Sequence, residues 1–263
     1  MPLHILDDDA LHVSVSQLKT WLRCPRQYEL KYVRGADPEV VPHALAFGTA
    51  YHAALAAHFR EKQAGNTLPI DALMSVFGAS WADQRARGIP IEVSDGPDDV
   101  DLGRRMLTAF LEHDAGRTSE IVDVERRVSA LLHDPETGEL LEERLTGFVD
   151  LLVREGDRHV VVEHKTSARR YTEDQLRYDH QPTAYLLALR QEGLGDVGAR
   201  FEIVTKAKTP TVQVEEVHRD GGDEDDFLRV AVGVLRAIDA GVSFPARGWA
   251  CRSCPYERAC GAR

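Results

Sequence analysis

The feature that most constrains the fold is a run of three β-strand patterns between Ser119 and Ser167. The segments EIVDVERRVSALL, LEERLTGFVDLLV and RHVVVEHKT are rich in β-branched residues and alternate between apolar and polar positions. A short connection, REGDR with Gly156, separates the second segment from the third and predicts an antiparallel hairpin. The sequence therefore predicts a sheet whose buried centre includes the three valines at 160–162.

Patterns of helical period flank these strands on both sides. Upstream, we expect one helix beginning at Ser14 or Ser16 and three more near Leu45 to Gln63, Ile70 to Arg87 and Asp99 to Asp114. Downstream, we expect a helix within Thr172 to Gln191, strands at Ala199 to Lys206 and Val212 to His218, and a last helix at about Asp223 to Ala240. This order predicts an α/β core preceded by a helical region.

Composition excludes several classes of protein. The hydrophobic fraction of 43% supplies an ordinary core, and the net charge of −11 speaks against coating nucleic acid by bulk electrostatics, although a local basic groove is compatible with it. No apolar run approaches the roughly 20 residues of a membrane span, and the N-terminus lacks a signal-peptide pattern. We expect a cytoplasmic protein with no membrane partner. The chain has no GxxxxGK[ST] phosphate loop, so we expect no nucleotide cofactor.

The end of the third strand carries an acid and a base two residues apart. Side chains alternate along a strand, so Glu163 and Lys165 share one face, while His164 points to the other. A simple ion pair is one interpretation. The hairpin also brings Asp150, the one acid in the segment TGFVDLLV, beside Glu163, and two carboxylates that close favour a hard divalent ion between them. Mg²⁺ is the leading candidate and Mn²⁺ the substitute, and such a site suits phosphodiester hydrolysis.

The four cysteines are unevenly distributed. Cys24 lies alone near the start, whereas Cys251, Cys254 and Cys260 crowd the last thirteen residues. A reducing cytoplasm argues against two disulfides. The spacing alone leaves a zinc site and an iron–sulfur cluster equally open.

These motifs together resemble the PD-(D/E)xK nucleases, and within them the RecB-like branch. The matching pieces are GFVDLLV, VVVEHKTS, QPTAY and, upstream, AFGTAYHAAL with its Gly-x-x-x-His spacing from Gly48 to His52. They occur in the family's order, and the resemblance covers residues 14–263. It implies a restriction-endonuclease-like core, in which a mixed central sheet is flanked by helices.

The resemblance also implies roles for individual residues. Asp150, Glu163 and the helical His52 match the metal-binding residues of the branch, and Lys165 matches the catalytic lysine. Gln181 and Tyr185 match the Q-x-x-x-Y pair that faces the nucleic acid and the active site. Because Pro182 follows Gln181, we expect the helix to begin nearby with the proline in its first turn. Glu125, in the strand before the hairpin, is a further acid that could approach the metal.

The cysteines resemble those of RecB-like nucleases such as the nuclease part of AddB and the CRISPR-associated exonucleases. In these proteins one upstream and three C-terminal cysteines hold a 4Fe-4S cluster. The resemblance therefore assigns Cys24, Cys251, Cys254 and Cys260 to a cluster, with Zn²⁺ as the alternative. We expect this cofactor to clasp the N-terminal region to the C-terminal tail.

The expectation for the whole chain is a single nuclease domain over residues 1–263. It comprises a helical part (14–116), a catalytic core (117–240) and a cysteine-bearing tail (241–263) packed with Cys24. The expected activity is that of a metal-dependent exonuclease on single-stranded DNA or DNA ends, in repair, recombination or CRISPR adaptation, with a possible helicase or adaptation partner. The alternatives are a structure-specific endonuclease, a nuclease-like DNA-binding module without turnover, and an iron–sulfur redox protein.

Overall fold

A computed structural model describes residues 11–93 and 98–261 of the protein. The extreme ends of the expected domain, residues 1–10 and 262–263, lie outside this range, as do residues 94–97. The first half contains β1 (His12–Ser14), α1 (Val15–Arg23), α2 (Pro25–Tyr28), a π-helical turn (Glu29–Val33), α3 (His43–Gln63), α4 (Ile70–Ala86) and α5 (Asp99–Asp114).

The second half carries most of the sheet. It contains β2 (Glu120–His133), β3 (Leu140–Glu155), β4 (Arg158–Ser167), α6 (Glu173–Arg177), α7 (His180–Gln191), β5 (Val197–Thr205), β6 (Val212–Val217) and α8 (Gly221–Asp239). The tail adds a 3₁₀ turn (Trp249–Ser253) and α9 (Glu257–Cys260). The expected fold class is confirmed, because a mixed sheet is flanked by helices in this order.

The N-terminal helical region differs from the expectation in two ways. The first helix is interrupted at Cys24, whose backbone is extended at φ −164° and ψ 107°. Pro25 follows directly, and a residue that precedes proline is disfavoured in the helical conformation. The short strand β1 was not expected, since it consists of only three residues and ends at the Ser14 cap.

The sheet forks along strand β3. One edge of β3 pairs with antiparallel β2 over most of its length. The other edge is shared, because β1 pairs in parallel with residues 144–146 and β4 pairs antiparallel with residues 151–155. Beyond β4 the order continues through parallel β5 and antiparallel β6. Residues 147–150 of β3 therefore lie at a gap between two partner strands.

Two hydrophobic cores cover the two faces of the sheet. One contains α1, α7 and α8, with Leu18, Leu186 and Leu235 packed against the sheet. The other contains α3, α4 and α5, with Phe47, Phe77 and Phe110 fully buried. No helix within the described ranges is long and apolar enough to cross a membrane.

Candidate metal and catalytic site

The fork in the sheet brings the two acids of the hairpin to one place. The β3–β4 ladder ends at the pair Leu151 and Val162, so Asp150 and Glu163 are the next residues on their strands. Here the strands separate, and the Asp150 carboxylate accepts the backbone N–H of His164 at 2.8 Å. The side chain thus replaces the next hydrogen bond of the ladder.

A network of side chains joins β4 to helix α7. The Lys165 ammonium donates to Glu163 Oε1 at 2.6 Å and to Gln181 Oε1 at 2.9 Å. The amide of Gln181 donates to Glu163 Oε1 at 2.6 Å and to the Tyr185 hydroxyl at 2.9 Å. Four of the residues singled out in the sequence are therefore in direct contact: Glu163, Lys165, Gln181 and Tyr185.

The start of helix α7 places Gln181 within this network. Asp179 caps the helix by accepting the N–H of Gln181 at 2.8 Å, and Pro182 lies in the first turn, where its missing N–H leaves no intrahelical bond unmade. The separate helix α6 precedes it. Gln181 and Tyr185 are one turn apart and share a face, which explains their mutual hydrogen bond.

Helix α3 supplies the histidine. His52 Nδ1 lies 3.2 Å from Asp150 Oδ1, and Gly48 lies one turn earlier on the helix. Both line an open pocket on this face of the sheet, together with Glu125, Phe148 and Lys165. Asp150 therefore contacts α3 through one carboxylate oxygen and β4 through the other.

The two acids have different proton affinities. Burial raises the pKa of Glu163 to about 7, and the charge of Asp150 adds to the rise, even though Lys165 acts against it. Burial would raise the pKa of Asp150 as well, but the neighbouring His52 outweighs it, and the pKa of Asp150 is held below its ordinary value. The pKa of Lys165 is raised, because the charges of Glu163 and Asp150 outweigh the effect of its burial. At neutral pH, Asp150 and Lys165 are both ionised.

Two features of the site bear on cation binding. Ligand atoms of His52, Glu125 and Asp150 all lie within 4.8 Å of one another. Glu163 is only 4% exposed, and its Oε2 atom is buried without a hydrogen-bond partner. Carboxylate and imidazole groups are suitable ligands for Mg²⁺ or Mn²⁺, and an unpaired buried carboxylate oxygen is costly without one.

Two residues line this site without a strong signal in the sequence. The sequence indicates Glu125 only as a further acid that could approach the metal, and its position opposite Asp150 follows once β2 and β3 are paired. Phe148 reads as a core residue in an apolar strand, yet 55% of it is exposed beside Asp150. No pattern in the sequence signals that exposure.

The cysteines of the tail lie against the N-terminal segment. The N–H of Ala246 donates to Cys24 Sγ at 3.4 Å, and the N–H of Arg26 donates to the Phe244 carbonyl at 3.1 Å. Burial raises the pKa of Cys254, and the charges of Cys24, Cys260 and Cys251 raise it further. None of the four forms a disulfide. The two segments that carry the cysteines are therefore in contact, but among the described residues no three of the cysteine sulfur atoms lie within 4.8 Å of one another.

Comparison with known proteins decides the family. Residues 12–261 match the PD-(D/E)XK nuclease superfamily. The chain belongs to this superfamily. No curated protein matches the sequence at a significant level.

One solved structure shares the fold of this chain. A protein from Eubacterium rectale, described as a candidate exonuclease, is similar over 94% of this chain and 88% of its own, with a TM-score of 0.57 and 14% identity. The protein SSO0001 aligns over 94% and 95% of the two chains at 14% identity, with a TM-score of only 0.41. At this identity the first likeness bears on the fold alone.

PD-(D/E)XK nucleases typically use divalent metal ions, and the acidic set beside His52 is a possible place for one.

His164, the variable residue of the E-x-K motif, lies on the opposite face, as strand alternation requires. It is 2% exposed, packs between Phe59 and Phe110, and its pKa is lowered to about 4 by burial. It is therefore a neutral core residue at physiological pH.

Proposed function

We propose that this PD-(D/E)XK nuclease is a metal-dependent deoxyribonuclease of the RecB-like branch, acting as an exonuclease on single-stranded DNA or DNA ends. The observation that carries the proposal is the convergence of Asp150, Glu163 and Lys165 at the fork between β3 and β4. A chance E-x-K sequence would not have a second, half-buried acid beside it, nor a buried carboxylate oxygen left without a partner.

In this proposal, Asp150, Glu163 and His52 hold the divalent ion. When bound, such an ion polarises the phosphoryl oxygen and lowers the pKa of a coordinated water. Lys165 faces the same space, where its ammonium orients the attacking water and neutralises charge that develops on the phosphate. Gln181 holds Lys165 and Glu163 in place through hydrogen bonds of 2.9 and 2.6 Å, and Tyr185 orients Gln181 in turn.

Two contacts support assignment to the RecB-like branch. His52 follows Gly48 in the helical G-x-x-x-H spacing and reaches Asp150, and the Q-x-x-x-Y pair contacts the E-x-K pair. Each contact joins two motifs that are distant in sequence. A chance occurrence of the motifs would not be expected to bring them together.

The pocket around the site supports a single-stranded substrate or a frayed end. Phe148 presents an exposed ring beside Asp150, and Arg60 and Thr49 line the same pocket. Aromatic stacking on bases and basic contacts to phosphates are how single strands are bound without reading sequence. The Eubacterium rectale protein, described as a candidate exonuclease, is consistent with activity at ends. We expect a role in repair, recombination or CRISPR adaptation, with a helicase or adaptation complex as partner.

We further propose that Cys24, Cys251, Cys254 and Cys260 hold a 4Fe-4S cluster that clasps the tail to the N-terminal segment. The hydrogen bond between the Glu39 N–H and the Pro255 carbonyl, at 2.7 Å, brings the same two segments together. Iron, sulfide and zinc analysis of anaerobically purified protein tests this. About four irons per chain is the expected result, and stoichiometric zinc without iron would replace the cluster with the zinc alternative.

The test of the activity uses end-labelled linear and circular single-stranded DNA with Mn²⁺. We expect mononucleotides or short products from the linear substrate, no cutting of the circle, and a loss of at least about a hundredfold in rate for Lys165→Ala. Lys208→Ala, which removes an exposed lysine after β5, is the charge-matched control and should retain activity.

Each alternative predicts a different result in this assay. A structure-specific endonuclease cuts the circle or a branched duplex. A binding module without turnover retains DNA but releases no product. An iron–sulfur redox protein shows no difference between the wild type and Lys165→Ala.

A further inference from the structure

Glu125 occupies a special position on strand β2. Its neighbours Val124 and Arg126 pair with Leu151 and Val149 of β3, which places Glu125 opposite Asp150. A ligand oxygen of Glu125 lies within 4.8 Å of ligand atoms of both Asp150 and His52. Three chain segments, α3, β2 and β3, therefore converge on one point through groups that can bind a cation.

The backbone of Glu125 is in a conformation that side chains rarely adopt. Its φ is +55°, and among residues 11–93 and 98–261 no other non-glycine residue has a positive φ. Strained residues of this kind persist where surrounding structure holds them, and they concentrate at binding and active sites.

At Glu125, the side chains of strand β2 exchange the faces of the sheet on which they lie. Alternation should place Val124 and Val128 on one face, because they are four residues apart. Instead, Val124 packs in the core beneath α3, α4 and α5, and Val128 packs in the core beneath α1, α7 and α8. The reversal between them lies at the level of Asp150.

The Glu125 carboxylate makes no direct polar contact, although the nearby charges of His52 and Arg60 favour its ionised form. It is half-buried, and it makes no hydrogen bond or ion pair with any residue of the described chain. Arg60 lines the same pocket without pairing to it. On strand β4, Glu163 Oε2 is buried and has no hydrogen-bond partner. Strands β2, β3 and β4 therefore each bring one carboxylate to this part of the sheet, where His52, Arg60 and Lys165 supply the nearby positive charge.

We propose that Glu125 is a direct ligand of the divalent cation, completing a set with His52 and Asp150. The inference rests on the proposed metal-dependent function and adds a ligand to it. Because one ligand is an imidazole, the set favours Mn²⁺ over Mg²⁺. The strained backbone of Glu125 thus coincides with a candidate ligand position.

The test measures Mn²⁺ binding to the full chain by isothermal titration calorimetry, with electron paramagnetic resonance of free Mn²⁺ as a second readout. We expect Glu125→Gln, which keeps the shape and removes the charge, to weaken binding at least tenfold. Glu125→Gly removes the carboxylate but suits the positive φ, so it should show the same loss with a melting temperature at or above that of the wild type. Glu142→Gln changes an exposed glutamate on β3 and should bind as the wild type does.

Asp150→Asn separates failure of this inference from failure of the proposed function. If Asp150→Asn loses Mn²⁺ while Glu125→Gln and Glu125→Gly both bind it normally, Glu125 is not a ligand and the proposed function stands. If Asp150→Asn also binds Mn²⁺ normally, the metal site itself is misplaced, and the inference falls with it.

Discussion

At the scale of single residues, the site depends on two neighbouring acids that hold protons differently. Asp150 remains ionised because His52 lies beside it, and Glu163, more deeply enclosed, has its pKa raised to about 7. Two carboxylates with such different proton affinities, in a cleft beside a lysine, are typical of functional sites rather than of structural ion pairs. A divalent ion would relieve the repulsion that the protein otherwise leaves in place.

Gly147 provides a test of how tightly the site is packed. A Cβ atom at this position would lie 2.6 Å from the ring of Tyr185, so Gly147→Ala must displace that ring. We expect the free energy of unfolding to fall by about 1–3 kcal/mol. We also expect slower DNA cleavage, because Tyr185 orients Gln181. Urea denaturation and cleavage kinetics measure the two effects.

Gly78→Ala, on helix α4, is the matched control for Gly147→Ala. A Cβ atom there meets nothing within 4 Å, and alanine has the higher helix propensity, so stability should stay the same or rise. Unchanged stability and activity in Gly147→Ala would mean that Tyr185 is not held against β3 as described.

At the scale of secondary-structure elements, a buried ionic cluster ties α5 to the sheet. Arg117 donates to both oxygens of Glu202 on β5, at 2.6 and 2.7 Å, and to Asp114 at the end of α5. His58 and Lys62 of α3 also bind Asp114, at 2.8 and 2.5 Å. This cluster fixes the helix that carries His52 relative to the strands that carry the acids.

The cluster predicts a specific dependence of stability on pH. Burial acts to raise the pKa of Glu202, but the hydrogen bond with His113 and the charge and hydrogen bonds of Arg117 outweigh it and lower the pKa to about 2, from an ordinary value of 4.5. The folded carboxylate therefore loses its proton more readily than the unfolded one. Its stabilising contribution is complete above about pH 4.5 and is lost as the pH falls towards 2.

Glu202→Gln tests this contribution. Urea denaturation at several pH values should find the variant less stable than the wild type by about 3 kcal/mol near pH 6. The gap should narrow as the pH falls below 4.5. A gap that stays constant down to pH 3 would show that Glu202 is not the titrating group.

The elements also show which parts of the fold are predictable from sequence. The bounds of α5 follow from its periodicity, and those of the strands nearly so, because burial of one face dictates the pattern. The break at Cys24 follows from Pro25. Helical periodicity considered alone misses it, because the apolar spacing continues across the proline. The reversal of β2 at Glu125 could not be predicted, since period-two alternation assumes a regular strand.

At the scale of the whole molecule, the N-terminal segment and the tail are the most distant parts of the chain in sequence and lie together in space. Glu29 accepts hydrogen bonds from Arg26, Arg34 and Ser243, which joins the segment that carries Cys24 to the start of the tail. The family pattern predicts that the four cysteines share one site, and this stays a prediction. Spacing alone could not predict it, because it leaves the fold between them undefined.

If the cofactor links the N-terminal segment to the tail, it should contribute to the global stability of the protein. Cys251→Ser should lose the bound metal or cluster and lower the free energy of unfolding by about 2–4 kcal/mol, as loss of a long-range cross-link does. Ser253→Ala, two residues away, is the control and should change neither quantity. Metal analysis with denaturation measures both, and a Cys251→Ser variant of unchanged stability would remove the clasp.

The central claim is that Asp150 and Glu163 share a divalent ion at the fork of the sheet. An anomalous difference map from crystals grown with Mn²⁺ measures this directly. The account predicts a peak at a coordinating distance, about 2.0–2.6 Å, from carboxylate oxygens of both residues. Ordered Mn²⁺ found only elsewhere, with both carboxylates ordered and free of metal, would contradict it.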